Sequence, residues 1–400
     1  MRKLNLNLTL FMIGAAALLF TACKGEGPII PDTTTVITCD GTLPLVWKNN
    51  PDLAVDYLVT CMVELGAGQN LVIEPGVTVQ FEDAESGILV SEGSLKMLGN
   101  ASAPITLEGK TAIKGSWKGI FYSSNSVNNR MEYVTVSHAG SEEQFLFNNR
   151  CGVGLYSGFN ATRLSIKNCT LSDNDGFGFL AQGVDANLAD FEANTFTRNS
   201  EAPVFIGINL LNKIDASSVY TVAGKENGKS YIAIDASWPD MPDVTLAKLT
   251  VPYRFLSGEP VDVKKMTLSP GVILEFEQGS YLNIDDDGDA LIAVGTQAEP
   301  IIFRGSTGVA GSWGGIYIGN SNILNRLEYC TVEHGGEFTL FSAKANIELG
   351  GATFDPACVV KNCLIRNSLG YGIAYRDGAA AVVLENNTFS GNALGDLQPY

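Results

Sequence analysis

The chain has 400 residues, 45% of them apolar and 17% charged, and its 43 acidic and 26 basic side chains give a net charge of −17. This apolar content indicates a globular protein with a sizeable core and excludes a disordered chain. The acidic surplus argues against nucleic acid as a partner and disfavours polyanionic glycans, because both repel a negative surface.

The first 22 residues form a predicted signal peptide. Two basic residues precede an apolar stretch at 8–20 that is shorter than a bilayer span, and the small Ala22 stands directly before Cys23. This arrangement resembles a bacterial lipoprotein signal, and the resemblance implies that Cys23 becomes the lipid-modified N-terminus. We therefore expect a protein of the bacterial cell envelope, lipid-anchored to the outer membrane. The alternative is an ordinary cleaved signal with a coincidental cysteine.

Residues 23–44 are rich in Gly, Pro and Thr and show no periodicity, which predicts a tether. Residues 45–70 are expected to cap the first coil of the domain that follows, because an uncovered coil is a raw sheet edge. Cys39 and Cys61 could join tether and cap through a disulfide, which an envelope location permits.

Beyond residue 70 the chain repeats itself at an offset of about 195 residues. The matched segments include LVIEPGVTVQFE (71–82) with MTLSPGVILEFE (266–277), GSWKGIFY (115–122) with GSWGGIYI (311–318), and NRMEYVTVSHAG (129–140) with NRLEYCTVEHGG (325–336). The duplication predicts a first block at 45–207 and a second block at 251–400. The connector at 208–250 is either a bent continuation or a true break between the blocks.

Short alternations of Val, Ile, Thr and Phe recur in both blocks, so the predicted class is all-β. Within each block an apolar-x-x-Asn/Cys/Val pattern returns every 24–35 residues, the period of a solenoid whose coils must stack to bury their apolar faces. These motifs resemble the right-handed parallel β-helix proteins of the pectin-lyase-like superfamily. The resemblance implies a right-handed parallel β-helix (solenoid) built from two duplicated blocks, and it is uninformative about activity.

Equivalent residues of successive coils lie about 4.8 Å apart in such a fold and form columns. One column is predicted to contain Val134, Cys169 and Asn194 in the first block and Cys330, Cys363 and Asn387 in the second. Aligned asparagines can hydrogen-bond along the axis. For Cys330 and Cys363 this spacing would permit a disulfide, with a buried reduced pair as the alternative.

The histidines and one set of charged residues are duplicated. His138 and His334 occupy equivalent turns, which predicts a structural role once per block. Charged pairs two residues apart share one strand face and are expected to form solvated ion pairs. These pairs are Arg130 with Glu132 and Arg326 with Glu328. The resemblance supplies the alternative of lyase chemistry, in which a basic residue abstracts a proton and acids hold Ca²⁺.

Asp285, Asp287 and Asp289 stand at alternate positions of one acidic turn in the second block. Hard oxygen ligands suit Ca²⁺, so a low-affinity calcium site is the one cofactor hypothesis that the sequence offers. A plain acidic turn is the alternative, because the spacing and the downstream glutamate of an EF-hand are missing.

The irregular loops 141–152 and 337–357 differ between the blocks in length and content. Binding specificity resides more often in such loops than in the scaffold, so we predict the ligand site there. The leading hypothesis is a non-catalytic binding or adhesion scaffold that recognises a glycan or another surface macromolecule, such as a protein. One alternative is a carbohydrate-active enzyme, a polysaccharide lyase or glycoside hydrolase, which is disfavoured because no unduplicated acid–base cluster stands out. The other is a structural spacer.

Overall fold

The described part of the chain is a right-handed parallel β-helix, which confirms the predicted fold class. The computed structural model describes residues 33–143, 149–158, 160–237, 241–256, 258–351 and 355–400, so the signal peptide and Cys23 lie outside the described residues. Neighbouring strands pair in parallel along the whole stack. Within these ranges no helix is long and apolar enough to cross a membrane.

Each coil contributes short strands to three faces, and the strands of the first block form sheets A and B and half of sheet C. Sheet A consists of β1 (Thr35–Ile37), β3 (Tyr57–Val59), β6 (Thr78–Phe81), β9 (Ile105–Gly109), β12 (Val134–Ser137), β15 (Thr170–Ser172) and β18 (Thr195–Thr197). Sheet B consists of β2 (Val46–Trp47), β5 (Asn70–Ile73), β8 (Ser94–Leu98), β11 (Arg130–Glu132), β14 (Thr162–Lys167) and β17 (Ala186–Glu192).

Sheet C runs through both blocks. It consists of β4 (Met62–Leu65), β7 (Gly87–Val90), β10 (Ile120–Tyr122), β13 (Cys151–Tyr156), β16 (Phe177–Gln182), β19 (Val204–Gly207), β20 (Ile232–Asp235), β22 (Tyr253–Phe255), β25 (Ile273–Phe276), β28 (Ile301–Gly305), β31 (Cys330–Glu333), β34 (Leu364–Arg366) and β37 (Thr388–Ser390). Because its strands pair without interruption across the connector, the two blocks form one continuous stack.

The remaining strands of the second block form sheets D and E. Sheet D consists of β21 (Val244–Leu246), β24 (Lys265–Leu268), β27 (Ala290–Val294), β30 (Arg326–Glu328), β33 (Cys358–Lys361) and β36 (Val382–Glu385). Sheet E consists of β23 (Pro260–Asp262), β26 (Tyr281–Ile284), β29 (Ile316–Ile318), β32 (Ala345–Leu349), β35 (Tyr371–Tyr375) and β38 (Gly395–Pro399). A 3-10 helix at Ile208–Lys213 lies in the connector.

Alternation of apolar and polar residues decides which side chains point into the stack. In β6, Val79 and Phe81 are buried, while Thr78 and Gln80, which alternate with them, are partly exposed. Phe81 stacks on Trp117 of a later coil at 3.8 Å between ring centroids. Rows of this kind fill the interior with side chains, so the coils are held together by burial of apolar area as well as by strand pairing.

Single residues with left-handed backbone turn the corners between faces. His138 and His334 have φ of 66° and 67° and stand at the corner after the strand, so the backbone gives both histidines the predicted turn role. Asn168 and Asn362 turn the preceding corner with φ of 52° and 53°. Asparagine tolerates this conformation better than most side chains, which suits it to these two corners.

The duplicated sequences do not occupy the same faces of the stack. Strand β6 lies in sheet A, whereas its counterpart β25 lies in sheet C. The chain visits sheets A, C and B in turn in the first block, and sheets C, E and D in the second. From β7 to β25 the chain completes seven coils, because each coil adds one strand to sheet C. The step from β6 in sheet A to β7 in sheet C adds about one third of a coil, so equivalent strands lie one third of a turn apart. The second block is therefore rotated by one face relative to the first.

The predicted cysteine and asparagine columns are present. Asn194 accepts a hydrogen bond from the backbone N–H of Cys169 at 3.0 Å, and Asn387 accepts one from that of Cys363 at 2.9 Å. Cys330 and Cys363 stack in successive coils as free thiols, so the disulfide considered for them is not formed and the reduced alternative holds. Each sulfur lies within hydrogen-bonding distance of backbone carbonyls, which satisfies the two thiols in the core without a covalent bond.

The N-terminal end is covalently fastened. Cys39 and Cys61 form a disulfide, as the sequence suggested. It joins the segment after β1 to the residue just before β4, so the chain that precedes the first complete coil is held against it. Trp47 of β2 is fully buried and stacks on Tyr57 at 4.8 Å, which seals the interior at this end.

Candidate binding groove

The outer face of sheet C in the first block is apolar, which is unusual for a face that alternation assigns to solvent. Neighbouring coils align Leu89, Phe121, Gly154, Leu180 and Phe205 on this face. We call these five residues the outer apolar column. Phe121 and Leu180 are only 2% and 4% exposed, so the column belongs to a second apolar cluster outside the main core.

A cleft of about 500 Å³ opens beside this column. It is lined by Glu143, Asn149, Arg150, Asp175, Gly176, Phe177, Ser200, Glu201, Phe205, Lys229 and Leu256. Backbone hydrogen bonds link Arg150 to Phe177, Gly176 to Glu201, and Glu201 to Lys229, so the lining spans four successive coils. Three coil spacings amount to about 14 Å along the axis, and we call this cleft the axial groove.

Two ion pairs form the polar wall of the axial groove. The guanidinium of Arg150 lies 2.6 Å from a carboxylate oxygen of Asp175, and the Nζ of Lys229 lies 2.7 Å from the carboxylate of Glu201. Ser200 donates its hydroxyl to Asp175 at 2.7 Å. Desolvation opposes ionisation of Asp175, but the hydrogen bonds from Ser200 and Arg150 outweigh it and hold the pKa of this carboxyl below its usual range.

The floor of the axial groove is aromatic. The rings of Phe177 and Phe205 lie 5.1 Å apart and tilt by 56°. A polar wall beside an apolar floor suits a ligand that presents both hydroxyl groups and apolar carbon-bound hydrogens. The charged side chains of the lining, Glu143, Arg150, Asp175, Glu201 and Lys229, sum to one negative charge. The groove therefore offers no excess positive charge to a polyanion.

The predicted loop 141–152 contributes to this groove through Glu143, Asn149 and Arg150. Residues 144–148 of the loop lie outside the described residues. The sequence indicated the loop because the two blocks differ there. The sequence did not indicate Asp175, Ser200, Glu201 or Lys229. These residues line the groove only because four successive coils align them.

The second predicted loop, 337–357, meets a different surface. The counterparts of Leu89, Phe121 and Gly154 are Asn283, Tyr317 and Glu348 on sheet E, so the apolar column is replaced by polar side chains. Glu348 is fully buried and accepts hydrogen bonds from the backbone N–H groups of Phe341 and Ser342 at 2.9 and 2.6 Å. Burial raises the pKa of Glu348 and these hydrogen bonds oppose the rise. Glu348 thus anchors this loop.

The proposed calcium ligands do not come together. Asp285 accepts a hydrogen bond from Asn283 at 2.9 Å, whereas Asp289 turns inward and accepts the backbone N–H of Asp286 at 3.3 Å. Asp287 is exposed at the tip of the turn. Across the described ranges no three acidic, histidine or cysteine side chains are grouped to hold a metal ion. The described residues thus do not bring the three aspartates together, and Asp285 and Asp289 each serve a local contact.

The duplicated charged residues form the ion pairs that were expected. The Arg130–Glu132 and Arg326–Glu328 pairs have N–O distances of 3.8 and 3.4 Å. The four side chains are between 24% and 43% exposed. Neither pair lines the axial groove.

The outer face of sheet C carries a row of alternating charges that the sequence does not reveal. Strand pairing aligns five alternating residues of the second block, Arg254, Glu275, Arg304, Glu333 and Arg366. Glu275 lies 2.6 Å from both Arg254 and Arg304, and Glu333 lies 2.6 Å from Arg366. We call this row the charge ladder. Successive members are 21 to 33 residues apart in the chain, so their alignment can be recognised only when the length of each coil is known.

Comparison with known proteins supports the fold. Residues 283–398 match the family model described as right handed beta helix region. The matched part lies within the second block and includes the end of sheet E. No curated protein matches the chain.

Proposed function

We propose that this chain is a non-catalytic binding scaffold of the bacterial cell envelope that recognises a neutral glycan through the axial groove. The N-terminal segment with Cys23 supports anchoring to the outer membrane by lipid, which leaves the long β-helix as the recognition element. The observation that carries the glycan assignment is the groove itself, in which Phe177 and Phe205 form the floor and two ion pairs form the wall.

Sugar rings offer both kinds of surface that the axial groove can recognise. Their hydroxyl groups hydrogen-bond to ion-paired side chains, which present donors and acceptors together, and their carbon-bound hydrogens pack on aromatic rings. The length of about 14 Å along the axis accommodates more than one ring of a linear chain. The net negative charge of the lining favours a neutral glycan over an acidic one.

Two of the three carboxylates that line the axial groove lack the features of a general acid for glycoside hydrolysis. A general acid needs a raised pKa so that it is protonated at neutral pH, whereas the pKa of Asp175 is lowered. Glu201 is ion-paired with Lys229. These two acids therefore favour binding over catalysis.

The test is binding of neutral and acidic polysaccharides to the full chain, with new reducing ends measured in the same samples. We expect a neutral glycan to bind without being cleaved. Arg150→Ala should weaken binding by about tenfold, because it removes a charged hydrogen-bond donor and leaves Asp175 without its ion-pair partner.

Arg198→Ala is the matched control. Arg198 pairs with Asp173 of the neighbouring coil as Arg150 pairs with Asp175, and the two arginine side chains are 42% and 43% exposed. Arg198 lies outside the axial groove, so its loss should leave binding unchanged. Formation of reducing ends would replace the binding function with an enzymatic one. Failure of every polysaccharide to bind would leave the spacer function.

A further inference from the structure

A second cleft lies at the N-terminal end of the stack, far from the axial groove in sequence. It has a volume of about 560 Å³ and is lined by Thr38, Cys39, Gly41, Thr42, Leu43, Leu45, Met62, Val63, Glu64 and Gln69. Three of these residues belong to β4, which is the terminal strand of sheet C. The cleft thus borders the open edge of a thirteen-stranded sheet.

The backbone of β4 presents to this cleft hydrogen-bonding groups that pair with no backbone group of the described residues. The carbonyls of Cys61 and Leu65 accept hydrogen bonds from Gly87 and Ser91 of the next coil, so the odd-numbered residues face β7. In a parallel ladder the residues between them point their N–H and C=O groups to the opposite side. Met62 and Glu64 therefore face the cleft, and the carbonyl of Met62 lies 3.0 Å from the sulfur of Cys39.

The preceding stretch of chain passes this edge without pairing to it. Ile37 is held on sheet A by Thr60, and Leu45 is held on sheet B by Val72. Between them residues 38–45 form no strand; the chain turns at 39–40, and Pro44 has no N–H to donate. The disulfide of Cys39 fixes this arch beside β4. The place that one more strand of sheet C would occupy is left as a cleft.

We infer that this cleft is a docking site for an extended peptide segment of a partner protein, which adds to β4 as a parallel strand. Strand addition of this kind draws affinity from main-chain hydrogen bonds and specificity from alternate side chains. Inward side chains of the added strand would continue the rows of Val63 and Leu65, which are apolar and buried. Its outward side chain would lie beside Glu64, which is exposed and acidic.

The charge of the site specifies the partner further. Glu64 has a carboxylate oxygen 2.8 Å from the hydroxyl of Ser91 and lies on a chain with a net charge of −17. A lysine or arginine in the outward position complements both the local carboxylate and the field of the whole chain. The segment recognised therefore alternates apolar and basic residues.

The probe is a short peptide of alternating valine and lysine, added to the full chain, with affinity measured by fluorescence anisotropy and backbone amide exchange measured by mass spectrometry and NMR. We expect binding, and exchange of the Met62 and Glu64 amides should slow by about tenfold or more. The same peptide with N-methyl groups on alternate amides should not bind, because it cannot complete the ladder.

Glu64→Lys should weaken binding by about tenfold through charge reversal, while leaving the fold intact because the side chain is exposed. Glu259→Lys is the control, since Glu259 is an exposed glutamate in the second block outside the cleft. The inference is overturned if the peptide does not bind, if the N-methylated peptide binds equally well, or if the two amides are already protected in the free chain. The last result would mean that the chain itself fills the edge.

Discussion

Phe81 and Phe276 are equivalent in the duplicated sequence but lie in different sheets. Phe81 ends β6 in sheet A, and Phe276 ends β25 in sheet C. Both are fully buried, and both stack on the tryptophan of the following GSW motif, at 3.8 and 4.4 Å. The contact between phenylalanine and tryptophan is thus the same in both blocks, but it lies on a different face of the β-helix in each. The loops that differ between the blocks consequently face different sides of the molecule.

This relationship predicts unequal costs for the same truncation. Phe→Ala in a core typically costs about 3–5 kcal/mol, and Phe276 also stacks on Phe255 at 5.1 Å. Phe276→Ala should therefore lower the free energy of unfolding by about 1 kcal/mol more than Phe81→Ala. Urea denaturation followed by circular dichroism measures both. An equal or smaller loss for Phe276 would contradict this account.

The charge ladder should be sensitive to loss of its buried acid. The Glu275 side chain is 5% exposed and pairs with both Arg254 and Arg304, so Glu275→Gln removes the carboxylate that these two cations share. We expect a loss of about 3 kcal/mol in the free energy of unfolding. Glu328→Gln removes one partner of a pair that is more accessible to solvent and should cost less than about 1 kcal/mol. Comparable losses for the two variants would show that burial of Glu275 is unimportant.

Acid should weaken the contact between neighbouring coils at Asp173. The hydrogen bond from Arg198 holds the pKa of this carboxyl below its ordinary value of 3.8. A lowered pKa in the folded state means a stabilisation that is complete above the unfolded-state value and lost as pH falls through the folded-state value. Asp173→Asn should therefore be less stable than the unchanged protein at pH 6, with the difference shrinking below about pH 4. A difference that does not change with pH would refute the assignment.

The seven cysteines of the described residues should fall into two chemical classes. Cys39 and Cys61 are linked, whereas five free thiols are buried: Cys151, Cys169, Cys330, Cys358 and Cys363. Burial raises the pKa of Cys151 and Cys169 to about 12, so little thiolate is present at neutral pH. Iodoacetamide should modify these five only after unfolding, as peptide mass spectrometry can show. Rapid alkylation in the folded protein would mean that the core opens.

The disulfide should stabilise the N-terminal end locally. It closes a loop with a sequence separation of 22, for which chain entropy gives about 3 kcal/mol. The double variant Cys39→Ser/Cys61→Ser should show faster amide exchange in β1 and β2, while exchange in the strands of the second block stays unchanged. Reduction of the unchanged protein should reproduce this pattern. Uniform destabilisation along the stack would indicate that the end does not unfold independently.

Much of the fold is predictable because the relevant interactions are local. Alternation within β6 assigns Val79 and Phe81 to the interior, and asparagines such as Asn168 and Asn362 occupy corners with left-handed backbone. The positions of Cys39 and Cys61 in the sequence suggested a disulfide, and the structure contains it. The free thiols of Cys330 and Cys363 show the limit of such reasoning, because proximity in a column permits either bonding state.

The strands and their inward rows follow from alternation between residues close together in the chain, and the coil repeat and the duplication follow from comparing the sequence with itself. Which residues of separate coils meet becomes known only when the coils are stacked. Arg150 meets Asp175 in the axial groove and Arg254 meets Glu275 in the charge ladder because of coil lengths, which differ from one coil to the next. The rotation between the blocks has the same origin. A repeat that spans a third of a turn beyond a whole number of coils places equivalent residues on different faces.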